Sequence, residues 1–212
     1  MDYTNAYKEI HDKNPGFGSR YDAGGLTSNI GIAIKSVSEN NINSMLDYGT
    51  GKGALVDHLK KTLGEKYLID GYDPAVDAWS KKPERRYNLV TCIDVLEHLE
   101  PNSIDNVLNE IKRITEGFCF LLIDLQPAVQ YLQNGRNAHT LLAPYDWWAG
   151  KLSNYFPYNV SFPIYNRGGF IQKYIFTGTC FPSKMLPALT FTTNLKIFES
   201  AMANKIKKKA IY

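Results

Sequence analysis

The sequence predicts an α/β fold with a doubly wound, mostly parallel sheet, on three observations. Short apolar runs alternate with amphipathic helical stretches along most of the chain. Successive runs end in an acid where the chain enters a loop, and the first run leads directly into a turn of three alternating glycines. The 212 residues, 44% of them hydrophobic, suffice for one full-sized domain and are too few for two.

Residues 1–43 form a helical lead-in. A short helix is expected over 2–12, a turn-rich loop at Pro15-Gly16-Phe17-Gly18, and an amphipathic helix over 26–37. The main domain, 44–212, packs with the lead-in as one compact unit. Its first strand is Met45-Leu46-Asp47-Tyr48, followed by Gly49-Thr50-Gly51-Lys52-Gly53 and a helix from Ala54 on which Leu55, Leu59 and Leu63 share a face. Leu68-Ile69-Asp70-Gly71-Tyr72-Asp73 is the second strand. Only about 13 residues separate Asp73 from the next apolar run, Tyr87-Asn88-Leu89-Val90-Thr91-Cys92-Ile93-Asp94, so an intervening third strand is short or missing. Residues 96–99 and 104–114 are helical, with Val107, Leu108, Ile111 and Ile114 on one face. The continuous apolar run 117–125 suits a central parallel strand. A helix beginning near Pro144 carries Trp147, Trp148, Leu152 and Tyr155. Residues 159–165 and 169–180, joined by Asn166-Arg167-Gly168, close the sheet as an antiparallel pair.

Composition narrows the function. A net charge of +3 is too small for nucleic-acid binding over the whole surface; the basic cluster is terminal, at Lys205, Lys207, Lys208 and Lys209, and reads as a solvated tail. No apolar run approaches the roughly 20 residues that cross a bilayer. The start lacks the basic-then-apolar pattern of a signal peptide, so a cytoplasmic protein is expected. Cys92, Cys119 and Cys180 lie far apart without a C-x-x-C pair, as buried free thiols do.

The glycine turn points to a nucleotide cofactor, because residues without Cβ adopt positive φ and let a ligand lie against bare backbone at a helix N-terminus. Asp73, roughly twenty residues on, suits a ribose diol. Gly49-x-Gly51-x-x-Ala54 with Asp73 also satisfies a loose dinucleotide fingerprint. Asp47 discriminates between the two: a carboxylate ahead of the turn repels a pyrophosphate and attracts the cationic sulfonium and ammonium of S-adenosyl-L-methionine.

In these residues the chain resembles the class I S-adenosylmethionine-dependent methyltransferases, with their acid-x-Gly-x-Gly-x-Gly turn on a Rossmann-like fold. The resemblance implies that Asp47, Gly49, Gly51 and Gly53 hold the methionine side of the cofactor, Asp73 and Pro74 the ribose side, and Asp94 and Val95 the rim towards the acceptor. It also implies that the lead-in folds over the cofactor as a lid, which Tyr3, Tyr7, His11, Phe17 and Tyr21 are candidates to line; packing of these residues onto the sheet edge stays open equally. Most such enzymes place an adenine-contacting acid in the interval that is compressed here; Asp77, Trp79, or the backbone of Pro74 and Ala75 are the candidates to replace it.

A second constellation, Asp94-Val95-Leu96-Glu97-His98-Leu99-Glu100-Pro101, leaves the carboxyl end of the strand at 87–94, where open α/β sheets bind ligands. It resembles the Asp/Glu-x-x-Glu-His segment of small-molecule methyltransferases, including the ubiquinone-pathway O-methyltransferases. Asp94, Glu97 and His98 are expected to converge on one point, and three readings stay open there: a packed structural turn, a general base, or a divalent metal site completed by His139. His139 ends Asn134-Gly135-Arg136-Asn137-Ala138-His139, which with Trp147-Trp148 is similar to a group of bacterial and phage methyltransferases of unassigned substrate; that likeness covers nearly the whole chain. The Glu-His segment plus a distant histidine is also similar, over a few residues, to the metal-dependent RNA 3′-terminal 2′-O-methyltransferases. The expected activity is methylation of a small-molecule acceptor at oxygen or nitrogen. Asp94, His98 and His139 are the catalytic candidates, and Arg136, His139 and Trp147 the acceptor-binding ones. A dinucleotide-dependent oxidoreductase and a non-catalytic cofactor-binding relative stay open beside it.

Overall fold

A computed structural model describes residues 3–14, 16–17, 42–166 and 168–182. The helix expected over 26–37, Tyr21 and the lysine-rich tail lie outside the described residues. In chain order the elements are α1 (Tyr3–Lys13), β1 (Ser44–Tyr48), α2 (Ala54–Leu63), β2 (Leu68–Tyr72), a 3-10 turn (Asp77–Trp79), β3 (Tyr87–Ile93), a second 3-10 turn (Leu96–His98), α3 (Ile104–Ile114), β4 (Thr115–Asp124), α4 (Tyr145–Tyr155), β5 (Tyr158–Tyr165) and β6 (Ile171–Thr179). They build a six-stranded sheet in the order β2-β1-β3-β4-β6-β5. The first four strands are parallel, and β6 pairs antiparallel with both β4 and β5. The interval after Asp73 holds a single 3-10 turn and no strand, as the compressed spacing requires.

Two apolar layers flank the sheet. On one face Leu55, Val56 and Leu59 of α2 pack with Met45, Ile69 and Leu122; on the other Leu108, Ile111 and Ile114 of α3 and Trp148 and Leu152 of α4 pack with Val90, Leu121 and Tyr174. The central strands are buried on both faces, which explains their unbroken apolar character: Val90, Cys92, Leu121, Leu122 and Ile123 are all fully buried. Helix α3 presents Ile104, Leu108, Ile111 and Ile114 to the core as a single stripe. It passes into β4 with no intervening loop, two residues earlier than the apolar run alone suggests. The three cysteines are free thiols, with Cys92 and Cys119 buried.

Candidate functional site

The carboxyl ends of β1, β2, β3 and β4 define one edge of the sheet, and the sequence-predicted residues gather there. Gly49, Gly51 and Gly53 all have positive φ, at 79°, 57° and 82°. Their amides turn inward. Gly49 and Thr50 donate to the Tyr72 carbonyl at 2.7 and 3.1 Å, Gly51 donates to Asp73 Oδ2 at 2.9 Å and Gly53 to the Thr50 carbonyl at 3.0 Å. These N–H groups are therefore engaged within the protein, which leaves the turn poorly suited to a pyrophosphate. Val95 covers Gly49, and the indole of Trp79 covers both Gly53 and Gly71.

Asp47 lies at the end of β1, almost fully buried, and accepts a hydrogen bond from the Thr91 hydroxyl at 2.7 Å. Burial raises its carboxyl to about 6, and the nearby Asp73 adds to the shift. A buried carboxylate in this state favours a cationic ligand. Asp73 accepts two backbone N–H groups, from Gly51 and Ala75, so it fastens the turn to β2 while each oxygen retains a lone pair. Positive-φ glycines, inward amides and a buried acid in want of a cation fit S-adenosylmethionine, whose methionine end is cationic and which has no phosphate. Of the candidates after β2, exposed Asp77 pairs with Lys8 of α1 at 2.5 Å, the Ala75 amide is spent on Asp73, and Trp79 is the side chain that reaches the turn.

The second constellation assembles differently from the expectation. Glu97, His98 and His139 come together, with one ligating atom of each within 4.8 Å of the others. Asp94 does not join them. It is held in a left-handed conformation, φ 53°, and its carboxylate pairs with Lys173 Nζ at 2.6 Å. The expected convergence of Asp94 with Glu97 and His98 is thus corrected by a lysine that the local motif does not contain. Glu97 is fully buried; its Oε1 accepts the Asp124 amide at 2.9 Å, while Oε2 has no partner, and burial raises its pKa well above the usual carboxylate range.

Both imidazoles are oriented by backbone carbonyls. His98 Nδ1 lies 2.9 Å from the Ala138 carbonyl and His139 Nδ1 lies 2.5 Å from that of Gln126. A carbonyl only accepts, so each Nδ1 carries the proton and each Nε2 offers a lone pair. Burial lowers the His98 pKa to about 4, with His139 contributing, so that ring is neutral at pH 7. The Gly135-Arg136-Asn137-Ala138-His139 segment is the frame for this pair. Gly135 turns with φ 78°, and the Asn137 amide clamps the loop by accepting from the Ala128 and His139 amides and donating to the Ala128 carbonyl. Arg136 pairs with Glu100 at 2.9 Å. Trp147 stacks edge-on against the buried Trp148 on α4, with Lys151 over its ring.

Helix α1 lies against this edge. The Tyr7 hydroxyl donates to the Ala138 carbonyl at 2.6 Å, and Phe17 packs edge-on to both His11 and His98. His11 is buried with its Nδ1 unpartnered. Sequence reasoning missed Lys173 and Asp124 altogether. Nothing local marks Lys173; the available signal was an acid ending the β4 run opposite a strand that returns antiparallel.

A parallel sheet with a glycine turn closed against its own second strand, and an acid awaiting a cation, defines a class I S-adenosylmethionine-dependent methyltransferase. The chain belongs to the methyltransferase domain family, whose sequence profile matches residues 24–157, and its cofactor is S-adenosylmethionine, which sets aside the dinucleotide reading. No curated protein sequence matches the chain. Solved structures share the fold at low identity. The 1,6-didemethyltoxoflavin-N1-methyltransferase of Burkholderia thailandensis is 13% identical with a TM-score of 0.57, over 84% of this chain and 88% of that one. Magnesium protoporphyrin IX methyltransferase of Synechocystis PCC 6803 is 12% identical with a TM-score of 0.55, over 84% and 100%. A small RNA methyltransferase is 15% identical with a TM-score of 0.55, over 79% of this chain and 27% of that one. No helix among the described residues is long and apolar enough to cross a membrane.

Proposed function

We propose that this chain methylates a small-molecule acceptor at oxygen or nitrogen. Asp47, Gly49, Gly51 and Gly53 face the methionine side of the cofactor, Asp73 with Pro74 the ribose, and Asp94, Val95, His98 and His139 the acceptor. The observation that carries the acceptor side is the pair of imidazoles whose Nδ1 protons are fixed on carbonyls, which leaves each Nε2 as the basic nitrogen. The cofactor supplies a methyl group already activated on a sulfonium, so the protein's task is alignment, exclusion of water and removal of the acceptor's proton. In this reading His98 and His139 take that proton at Nε2. Structural likeness does not choose the acceptor, because small-molecule and RNA enzymes are about equally similar. Charge favours the small molecule: Asp94 and Asp124 lie at this edge, and the one lysine between them leaves a net negative charge there. A polyanionic backbone meets repulsion there.

The test is transfer from methyl-labelled S-adenosylmethionine into a low-molecular-mass cell extract and, in parallel, into total RNA. Label is expected in the small-molecule fraction, and a His98→Ala, His139→Ala variant is expected to lose transfer at least tenfold while still binding S-adenosylhomocysteine. Label in RNA alone overturns the acceptor class.

A second reading rests on Glu97. Its unpartnered Oε2 and a ligating atom of each histidine within 4.8 Å of its carboxylate make a two-histidine, one-carboxylate set suited to a divalent cation. A metal scan of freshly purified protein is then expected to find about one equivalent, lost in the double-histidine variant. Negligible metal in both, with activity unaffected by chelation, removes this reading.

A further inference from the structure

Lys173 is the third residue of β6, opposite Asp124 in the antiparallel register with β4. Its side chain is 12% exposed, and its Nζ lies 2.6 Å from Asp94 Oδ1 and 3.2 Å from Asp124 Oδ2. It thus ties together the ends of two neighbouring strands from a third that runs the other way. Asp94 is the one described non-glycine residue with positive φ, a conformation that persists when its surroundings hold it. Two contacts do so here: the Asp94 amide donates to the Leu122 carbonyl at 2.9 Å, and the carboxylate is anchored on Lys173. The next residue, Val95, then lies directly over Gly49, the first glycine of the cofactor turn.

The charge count at this edge follows. Two carboxylates, Asp94 and Asp124, share one buried cation, which leaves one net negative charge. Glu97 is a third acid, held by the Asp124 amide, and His98 and His139 are the other titratable groups facing it. Methyl transfer changes the charge at the neighbouring cofactor: the sulfonium of the donor becomes a neutral thioether when its methyl carbon bonds to the acceptor and the S–C electron pair returns to sulfur. An electrostatic field at the rim therefore acts on donor and product differently.

We infer that Lys173 is a positioning and charge-balancing residue that sets how strongly this rim distinguishes S-adenosylmethionine from S-adenosylhomocysteine. The lysine offsets one of two carboxylates, so donor capture is strong enough to load the site without the donor being held by two uncompensated charges. The inference rests on the proposed placement of the cofactor's methionine end beside Asp94 and Val95.

The test measures dissociation constants of S-adenosylmethionine and S-adenosylhomocysteine by calorimetry for the full chain and its variants. Removing one charge at this rim is expected to change the ratio of the two affinities by roughly 5- to 30-fold, the Coulomb range for any unit charge on the order of 8 Å from a sulfonium at an effective dielectric of about 20–40. Lys173→Met is expected to shift the ratio towards the donor by that factor, and Asp124→Asn to shift it towards the product. The double variant Lys173→Met, Asp124→Asn is expected to return to within about threefold of wild type, and Lys173→Arg to within about twofold. A merely structural role moves both affinities together and leaves the ratio unchanged. Ratios within twofold in all variants, or shifts of the same sign for Lys173→Met and Asp124→Asn, overturn the inference. Where Lys173→Met does not fold, Asp124→Asn alone decides, since an unmoved ratio contradicts the charge balance. Wild-type protein that binds neither ligand overturns the cofactor placement itself, an outcome distinct from binding with an unmoved ratio.

Discussion

Gly49→Ala is expected to abolish measurable S-adenosylhomocysteine binding and to destabilise the protein by about 2–5 kcal/mol, from left-handed strain plus overpacking. The added Cβ would stand 2.3 Å from Val95 Cγ2 and 2.8 Å from Cγ1, at a backbone φ of 79°. Neither neighbour yields easily. Val95 follows Asp94, which is anchored on Lys173, and the Gly49 amide is fixed on the Tyr72 carbonyl. Gly64 provides the control, because it has nearly the same φ, 82°, and a Cβ added there would meet no atom within 4 Å. Gly64→Ala therefore carries only backbone strain, about 1–3 kcal/mol at its φ of 82° and ψ of 178°, and leaves ligand binding intact. In a Gly49→Ala, Val95→Ala double variant the steric part is relieved, and the shortfall from additivity in denaturant unfolding measures it. Full additivity in that double variant contradicts the tight approach of Val95.

Asp47→Asn is expected to move stability and affinity in opposite directions. Burial raises the folded-state pKa of Asp47 to about 6, above its unfolded value of about 3.9. The unliganded native state then binds more protons than the unfolded chain between these values, so stability falls as pH rises from about 4 to 6 and stays lowered above. Two pKa units correspond to roughly 3 kcal/mol. Removing the ionisable group is expected to stabilise the unliganded protein at pH 8 by up to about that amount, with the gain fading towards pH 4. The same substitution removes the charge proposed to attract the methionine end, and S-adenosylmethionine affinity is expected to fall roughly 10- to 100-fold, the range of a charge-assisted hydrogen bond. In wild type that affinity rises as pH increases through 6, because the ligand favours the carboxylate; in the variant the rise disappears. Thermal unfolding and calorimetry at pH 5 and 8 check both halves, and a variant that is destabilised at pH 8 with unaltered affinity contradicts the role of Asp47.

Much of the glycine turn's geometry was readable because its determinants are local. Three glycines at alternating positions after a strand permit the positive φ that they adopt, and an acid at a strand end sits at the carboxyl edge of any parallel sheet. The missing third strand was legible from chain length alone. What the local pattern concealed was where the turn's amides point: their acceptors, the Tyr72 carbonyl and Asp73, belong to the next strand and the residue that ends it. The acceptor side was less legible for the same reason. Asp94, Glu97 and His98 lie within one turn of chain and look destined for one point. The partner that diverts Asp94, however, is 79 residues away and reaches it only through the register of β6 on β4. Likewise Asn137 reads as one more polar loop residue until its amide is seen holding the loop that carries His139.

The most direct measurement of the central claim is a calorimetric titration of the purified chain with S-adenosylhomocysteine and, separately, with NADH and NADPH. Saturable one-to-one binding of S-adenosylhomocysteine, lost in Gly49→Ala and absent with both dinucleotides, is the expected result. Heat with a dinucleotide and none with S-adenosylhomocysteine would contradict a site in which inward-facing amides and a buried Asp47 select a cationic methyl donor.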